Sequence, residues 1–233
     1  MKCVSICTTG RVDYVKACLE SLQKNATEGW TLLASMEPGH PEVHRLINSV
    51  TFMPVKSWVN GRRLGPELNT FMAHWMAFEE GADAVLYFDD DMVLSPDALA
   101  LCNWYLDYTE YHDPARFAGI CLCARHPNLP DRPASISPND TWQGMVGQGY
   151  CYTRAQWQNF VKRNFWVHHP FFGGDGYDWA LGHMAVHLNK IILRPRFSRS
   201  RHTGRNGFHG DNVDTFPDAI NQATGLDYVV EET

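Results

Sequence analysis

Asp89, Asp90 and Asp91 stand in a row at the end of the apolar run Ala84-Val85-Leu86-Tyr87-Phe88. Adjacent carboxylates repel one another unless a counter-ion lies among them, so a hydrophobic strand ending in three of them points to a bound divalent cation. Hard cations such as Mg2+ and Mn2+ take carboxylate oxygen. Mg2+ is usually held by one or two carboxylates while substrate phosphates complete its shell. The chemistry on offer is the gripping of a metal-diphosphate. On extended backbone, side chains two apart point the same way, which predicts that Asp89 and Asp91 share this task while Asp90 faces elsewhere. A solvated acidic turn is the ordinary alternative for such a triplet.

A second charged feature lies late in the chain. Arg194, Arg196, Arg199, Arg201 and Arg205, with His202, form a basic stretch free of acids that could close over a small anionic ligand. The alternative is a solvated basic tail. The formal net charge of -6 argues against an extended nucleic-acid surface, which needs many cations to displace phosphate counter-ions. Seven cysteines, several in apparent strands, read as reduced core thiols. Cys121-Leu122-Cys123 finds no second cysteine pair to complete a zinc site.

The elements that must position these groups alternate. Lys2 to Thr8 predicts a buried strand, and Thr8-Thr9-Gly10-Arg11 a loop into a helix with Val12, Val15, Leu19 and Leu22 at helical spacing. Thr31 to Met36 and Val50 to Val55 predict two more strands, with Pro54 ending the second early or placing it at an edge. Pro66 opens a helix that Gly81 closes. The Asp-tipped strand follows, and Ser95-Pro96-Asp97 reads as the cap and first turn of another helix. Phe117 to Cys123 predicts a strand, and 125 to 149, rich in Pro, Asn, Gly and Asp, a functional loop. Gly147 to Tyr152 predicts a strand, Thr153 a cap, Tyr177 to Leu188 a helix, and Ile191 to Phe197 a last strand. With 233 residues, 44% of them hydrophobic, the chain can bury one large α/β core around a mostly parallel sheet. Ligands then belong at the carboxyl ends of the strands, where both the Thr8 to Arg11 loop and the Asp triplet lie. No stretch is long and apolar enough for a membrane span, and the first residues do not form a secretory signal, so the expected location is cytoplasmic.

Four segments together carry a family likeness: Val4-Ser5-Ile6-Cys7-Thr8-Thr9-Gly10-Arg11 with the helix after it, Gly65-Pro66-Glu67-Leu68-Asn69, Tyr87 to Asp97 with its D-x-D spacing and Pro-Asp, and Gly173-Gly174-Asp175-Gly176-Tyr177-Asp178-Trp179. In these the sequence resembles, over nearly its whole length, the nucleotide-sugar-dependent glycosyltransferases with the GT-A fold, particularly those like family 2. The resemblance implies a three-layer α/β/α fold with a mostly parallel mixed sheet, built as one domain over 1–233. Residues 1–123 would form the nucleotide-binding half, and 124–233 the acceptor-binding half with a C-terminal lid. It implies transfer of a sugar from a nucleoside-diphosphate sugar donor to a hydroxyl acceptor with inversion, using Mn2+ or Mg2+.

By the same resemblance Thr8, Thr9, Arg11, Glu37, Arg62 or its neighbour Arg63, Asn69, Asp89, Asp90 and Arg201 belong to the nucleotide-sugar site, and Asp89, Asp91 and His202 to the metal. Glu37 stands where the family often has an Asp that reads the base. Asp175 and Asp178 are the candidate catalytic bases; the usual adjacent Glu-Asp is Asp175-Gly176 here. Asp178 alternatively caps the helix from Tyr177. Among the aromatic residues near that segment, Trp142 and Trp179 are the candidates to face the acceptor, which could be a sugar, a protein or a modified nucleobase. Nucleotidyl transfer and sugar or nucleotide binding without chemistry remain as other readings. The chain has no Gly-rich phosphate loop with a Lys to support the former.

Overall fold

β1 (Lys2–Thr8) is apolar and buried on both sides, the pattern of a strand in a parallel sheet covered on both faces. The computed structural model describes residues 1–123, 135–139, 149–166, 177–195, 198–204 and 229–230. After β1 the chain runs through α1 (Val12–Leu22), β2 (Trp30–Met36), α2 (Pro41–Asn48), β3 (Val55–Val59), α3 (Pro66–Glu79), β4 (Ala84–Asp89), β5 (Met92–Leu94) and α4 (Ala98–Asp107). A 3-10 turn (Thr109–His112) leads to β6 (Phe117–Cys121), β7 (Ser135–Asn139) and β8 (Tyr150–Thr153). Helix α5 combines Arg154–Gln156, a π-helical turn Trp157–Val161 and a final stretch 162–166. Then come α6 (Tyr177–His187), β9 (Ile191–Pro195), β10 (Ser200–His202) and β11 (Val229–Val230).

Nine strands form one mixed, mostly parallel sheet in the order β11-β7-β9-β6-β8-β4-β1-β2-β3, and β5 pairs antiparallel with β10 in a small second sheet. Alternation along each strand divides the core. Val4, Ile6, Leu86, Phe88 and Leu193 pack with α1, α2 and α4 on one face. Cys3, Val85, Tyr87, Cys121 and Ile192 pack with α3, α5 and α6 on the other. Phe88, fully buried, contributes about 1.5–3 kcal/mol by leaving water.

Several boundaries differ from the sequence expectation. The third strand starts at Val55, not Val50, because Pro54 blocks strand pairing before it; β3 is indeed an edge strand. Helix α2, one turn past β2, escaped notice behind its Pro41 and short length. Helix α4 begins at Ala98 rather than after Ser95, since Asp97 is turned away to an ion pair and the Ser95 hydroxyl donates to it at 2.5 Å. The segment 125 to 149 contains β7, which includes Pro138. Strand β9 ends at Pro195, and two short strands follow it.

Thr153 caps α5 as expected: its Oγ1 accepts from the Gln156 N–H, while the Gln156 side chain accepts from the Thr153 N–H at 2.9 Å. Thr153→Ala should cost about 1 kcal/mol, seen as a lower urea midpoint with unchanged slope.

Candidate active site

β1 and β4 are parallel neighbours with Cys7 opposite Asp89, so the loop leaving β1 and the turn leaving β4 emerge side by side. From β1 the chain builds outward through β2 and β3, then returns to the other side of β1 with β4. This reversal opens a crevice at the carboxyl ends of the strands.

Asp90 and Asp91 occupy a turn between β4 and β5, which stops the strand alternation at Asp89. Arg11 fixes the consequence: its Nη1 donates to Asp91 Oδ2 at 2.6 Å and its Nη2 to Asp90 Oδ1. Asp90 therefore does not face away; it shares the Arg11 guanidinium with Asp91, correcting the expectation from alternation. The Thr9 N–H also donates to Asp90, at 3.2 Å. Asp89 is half-buried and accepts from the Tyr87 hydroxyl. Thr8 ends β1 with its hydroxyl enclosed and without a hydrogen-bond partner among the described residues.

The electrostatics of the triplet are uneven. Burial, then the charges of Asp91 and Asp178, push the Asp89 carboxyl well above its ordinary range. Burial raises Asp90 too, against the pull of Arg11. For Asp91 burial also acts upward, but His202 and Arg11 outweigh it and hold the carboxylate below its usual range. Asp91 is the member of the triplet whose surroundings favour the charged form over burial.

His202 reaches it through the small sheet. Pairing of β10 with β5 sets His202 opposite Met92 and brings its Nε2 to 3.3 Å from Asp91 Oδ2. The Thr203 N–H and hydroxyl lock the segment by donating to the Asp91 backbone oxygen at 2.9 and 2.8 Å. Gly204 completes the fit: a methyl group there would strike Asp91 Oδ2 and come within 2.9 Å of the His202 ring. Arg201 lies beside His202, opposite Val93.

The Asp91 Oδ1 atom is buried and has no hydrogen-bond partner among the described residues. An orphaned anionic oxygen is costly to bury. It suits a hard divalent cation that would take it as a ligand. Among the described residues no three His, Cys, Asp or Glu side chains gather into a ready metal cage, so Asp89, Asp91 and His202 do not form one here. The residues fit an ion with a shell completed by substrate oxygens, the Mg2+ pattern.

Two residues expected at the nucleotide are engaged inside the protein. The buried Glu37 carboxylate accepts from the Leu64 N–H and, at 2.8 Å, from the Gly65 N–H, which anchors the loop carrying exposed Arg62. Asn69, buried at the start of α3, accepts from the Ser35 hydroxyl and from Asn60 Nδ2 at 2.9 Å, tying α3 to β2. In the basic stretch, fully buried Arg199 is likewise internal: its Nε donates to Asp97 Oδ2 at 2.9 Å. Asp178 sits half-exposed in the first turn of α6, close enough for its charge to act on Asp89. Asp175 and Trp142 lie outside the described residues, as does the Trp179 side chain.

Sequence reasoning missed the groups that support the triplet. Tyr87, two residues before Asp89 on the same strand face, was the available signal. Behind it, His74 of α3 is buried in a ring of aromatics, with Nδ1 3.0 Å from the Tyr177 hydroxyl and also in contact with the Tyr152 hydroxyl. Burial lowers the His74 pKa from 6.5 to about 3. An unfolded chain protonates this imidazole near its ordinary value while the folded one refuses the proton. His74 should therefore cost stability as pH falls from about 6.5 toward about 3, with no such cost above that window. Melting curves of wild type and His74→Gln should show the wild type losing more between pH 7 and pH 4.5.

With this geometry in view, solved structures supply the comparison. TarS residues 1–349 from S. aureus, in complex with UDP-GlcNAc, superimposes with a TM-score of 0.63 at 15% identity, covering 90% of this chain and 60% of that one. The fold is GT-A. The mannosyltransferase PcManGT from Pyrobaculum calidifontis, in complex with GDP-Man and Mn2+, superimposes with a TM-score of 0.50 at 13% identity, covering 83% of this chain and 56% of that one. The chain thus spans somewhat under two thirds of these GT-A proteins. No protein-family model and no curated protein matches it in sequence. Among the described residues no helix is long and apolar enough to cross a membrane.

Proposed function

We propose that the chain is a metal-dependent glycosyltransferase that moves a sugar from a nucleoside-diphosphate sugar to a hydroxyl acceptor with inversion. The observation that carries this reading is Asp91: a buried carboxylate, its charge favoured by Arg11 and His202, with one oxygen unpartnered among the described residues, at the strand-order reversal of a GT-A sheet. The nucleotide sugars bound by TarS and PcManGT, and the Mn2+ of the latter, support it.

In this reading Asp91 and His202 hold Mn2+ or Mg2+, with Asp89 near the ribose or bridging through water. The bound ion supplies Lewis-acid neutralisation of the charge that develops on a departing diphosphate. Thr8, Thr9, Arg11 and Arg62 line the donor, Arg62 offering a fork for phosphate oxygens. Glu37 and Asn69 serve the donor by fixing the loop and helix that carry these groups. The basic β10 segment, held by β5, covers the bound nucleotide and excludes water. On the acceptor side Asp175 takes the proton from the attacking hydroxyl and Asp178 supports it, with Trp142 and Trp179 stacking on the acceptor. Residues 1–123 then form the donor half and 124–233 the acceptor half. Asp175→Ala should lose at least about 10²-fold in turnover, more than Asp178→Ala. The reverse order would transfer the base role to Asp178.

The test is calorimetry of UDP-, GDP-, dTDP- and CMP-sugars with and without Mn2+, followed by product analysis. Binding of one donor strengthened by Mn2+, with release of its nucleoside diphosphate, is the expected result. Release of pyrophosphate from a nucleoside triphosphate and sugar phosphate would mean nucleotidyl transfer instead.

A further inference from the structure

Arg194 of the basic stretch is buried with no partner for its charge among the described residues. It is only 6% exposed, its Nε is enclosed without a hydrogen-bond partner, and no hydrogen bond or ion pair joins its guanidinium to any described residue. Arg199, five residues on, is fully buried and paired with Asp97. Burying an uncompensated guanidinium is expensive, and a fold gains nothing by it. Such a cost is expected where a ligand supplies the missing charge.

The position of Arg194 suggests which ligand. Strand β9 runs parallel to β6 with Ile120 opposite Leu193, so Arg194 falls beside Cys121. Leu193 packs on the α1 face and Ile192 on the α6 face, so by alternation Arg194 shares the α6 face with Cys121 and with Tyr87 and Asp89. Asp178 stands in the first turn of α6, the helix packed on this same face. Arg194 lies three strands from β4, or roughly 14 Å at about 4.8 Å per strand, on the side of the sheet away from the donor crevice. That is the acceptor side of the proposed reaction.

We infer that Arg194 is an oxyanion-binding residue of the acceptor site, and that the acceptor carries a phosphate or carboxylate group beside the hydroxyl that receives the sugar. The planar fork of a guanidinium matches either group by two parallel hydrogen bonds. The assignment rests on the glycosyltransferase reading for the word acceptor, but the anion site itself is measurable apart from it.

The experiment titrates wild type, Arg194→Met and Arg194→Lys with inorganic phosphate and, separately, acetate, in the presence of Mn2+ and saturating nucleoside diphosphate so that the donor crevice is filled. Melting temperatures are recorded alongside. Wild type should bind one of the two anions, and the stronger titration tells phosphate from carboxylate. Arg194→Met should bind it roughly 10-fold or more weakly, the counterpart of losing a charge-assisted hydrogen bond, and Arg194→Lys should fall between. Arg194→Met should also melt at the same temperature as wild type or higher, because a buried unpaired charge has been removed. A Met variant that unfolds or melts several degrees lower would show Arg194 to be a structural partner and overturn the inference. Equal anion affinity in wild type and Arg194→Met would overturn it as well. A wild type that binds phosphate at Arg194 yet fails to bind any nucleoside diphosphate would instead count against the glycosyltransferase reading alone.

Discussion

Asp91→Asn should abolish Mn2+-dependent release of nucleoside diphosphate, with a loss of at least about 10²-fold in turnover, the scale seen when one preorganised electrostatic group is removed from a reacting charge. The substitution keeps the shape of the side chain. It removes the negative charge that Arg11 and His202 stabilise and weakens the unpartnered Oδ1 as a ligand for a hard cation. Calorimetry should show Mn2+ affinity falling in parallel, while the melting temperature moves little, since Asp90 continues to hold Arg11. Full turnover in Asp91→Asn would separate the triplet from the chemistry.

The largest effect on stability should come from Asp97. Its carboxylate meets the Arg199 guanidinium at 2.9 Å where Arg199 has no solvent exposure, and the Arg199 backbone bridges Leu122 and Ser95. Asp97→Ala takes this carboxylate away from a buried cation, a change that costs about 3–5 kcal/mol. For a chain of this size the corresponding drop in melting temperature is roughly 10 °C, readable by circular dichroism. Asp97→Ala together with Arg199→Met should recover most of the loss, because neither charge then remains to be desolvated. A single variant as stable as wild type would mean that water reaches Arg199.

These two aspartates show what could be read from the sequence. Apolar runs such as Lys2 to Thr8 and Ala84 to Phe88 announce buried strands because a parallel sheet covered on both faces needs no polar alternation. Their alternation with helices announces the α/β class. The location of the crevice follows from the same logic, as it lies where two such strands end side by side. The partners of each carboxylate were not legible. Asp97 reads as the acid of a helix start and is instead the counter-ion of a residue 102 positions away. Asp90 and Asp91 read as pointing apart, and a turn plus one guanidinium brings them together. Glu37 and Asn69 read as ligand contacts but are engaged by backbone and side-chain groups of the loop and strand beside them. Long-range pairing depends on which loops meet at a sheet edge, and local periodicity carries no record of that.

The central claim is that the clustered acids at the end of β4 exist to hold a divalent ion against a donor diphosphate. It is tested most directly by a crystal grown with Mn2+ and nucleoside diphosphate, using the anomalous signal of manganese. The predicted result is a single strong peak within bonding distance of Asp91 Oδ1, also touching phosphate oxygen. Nucleotide bound in the crevice with Asp91 still joined only to Arg11 and His202, and no manganese peak beside it, would contradict the account.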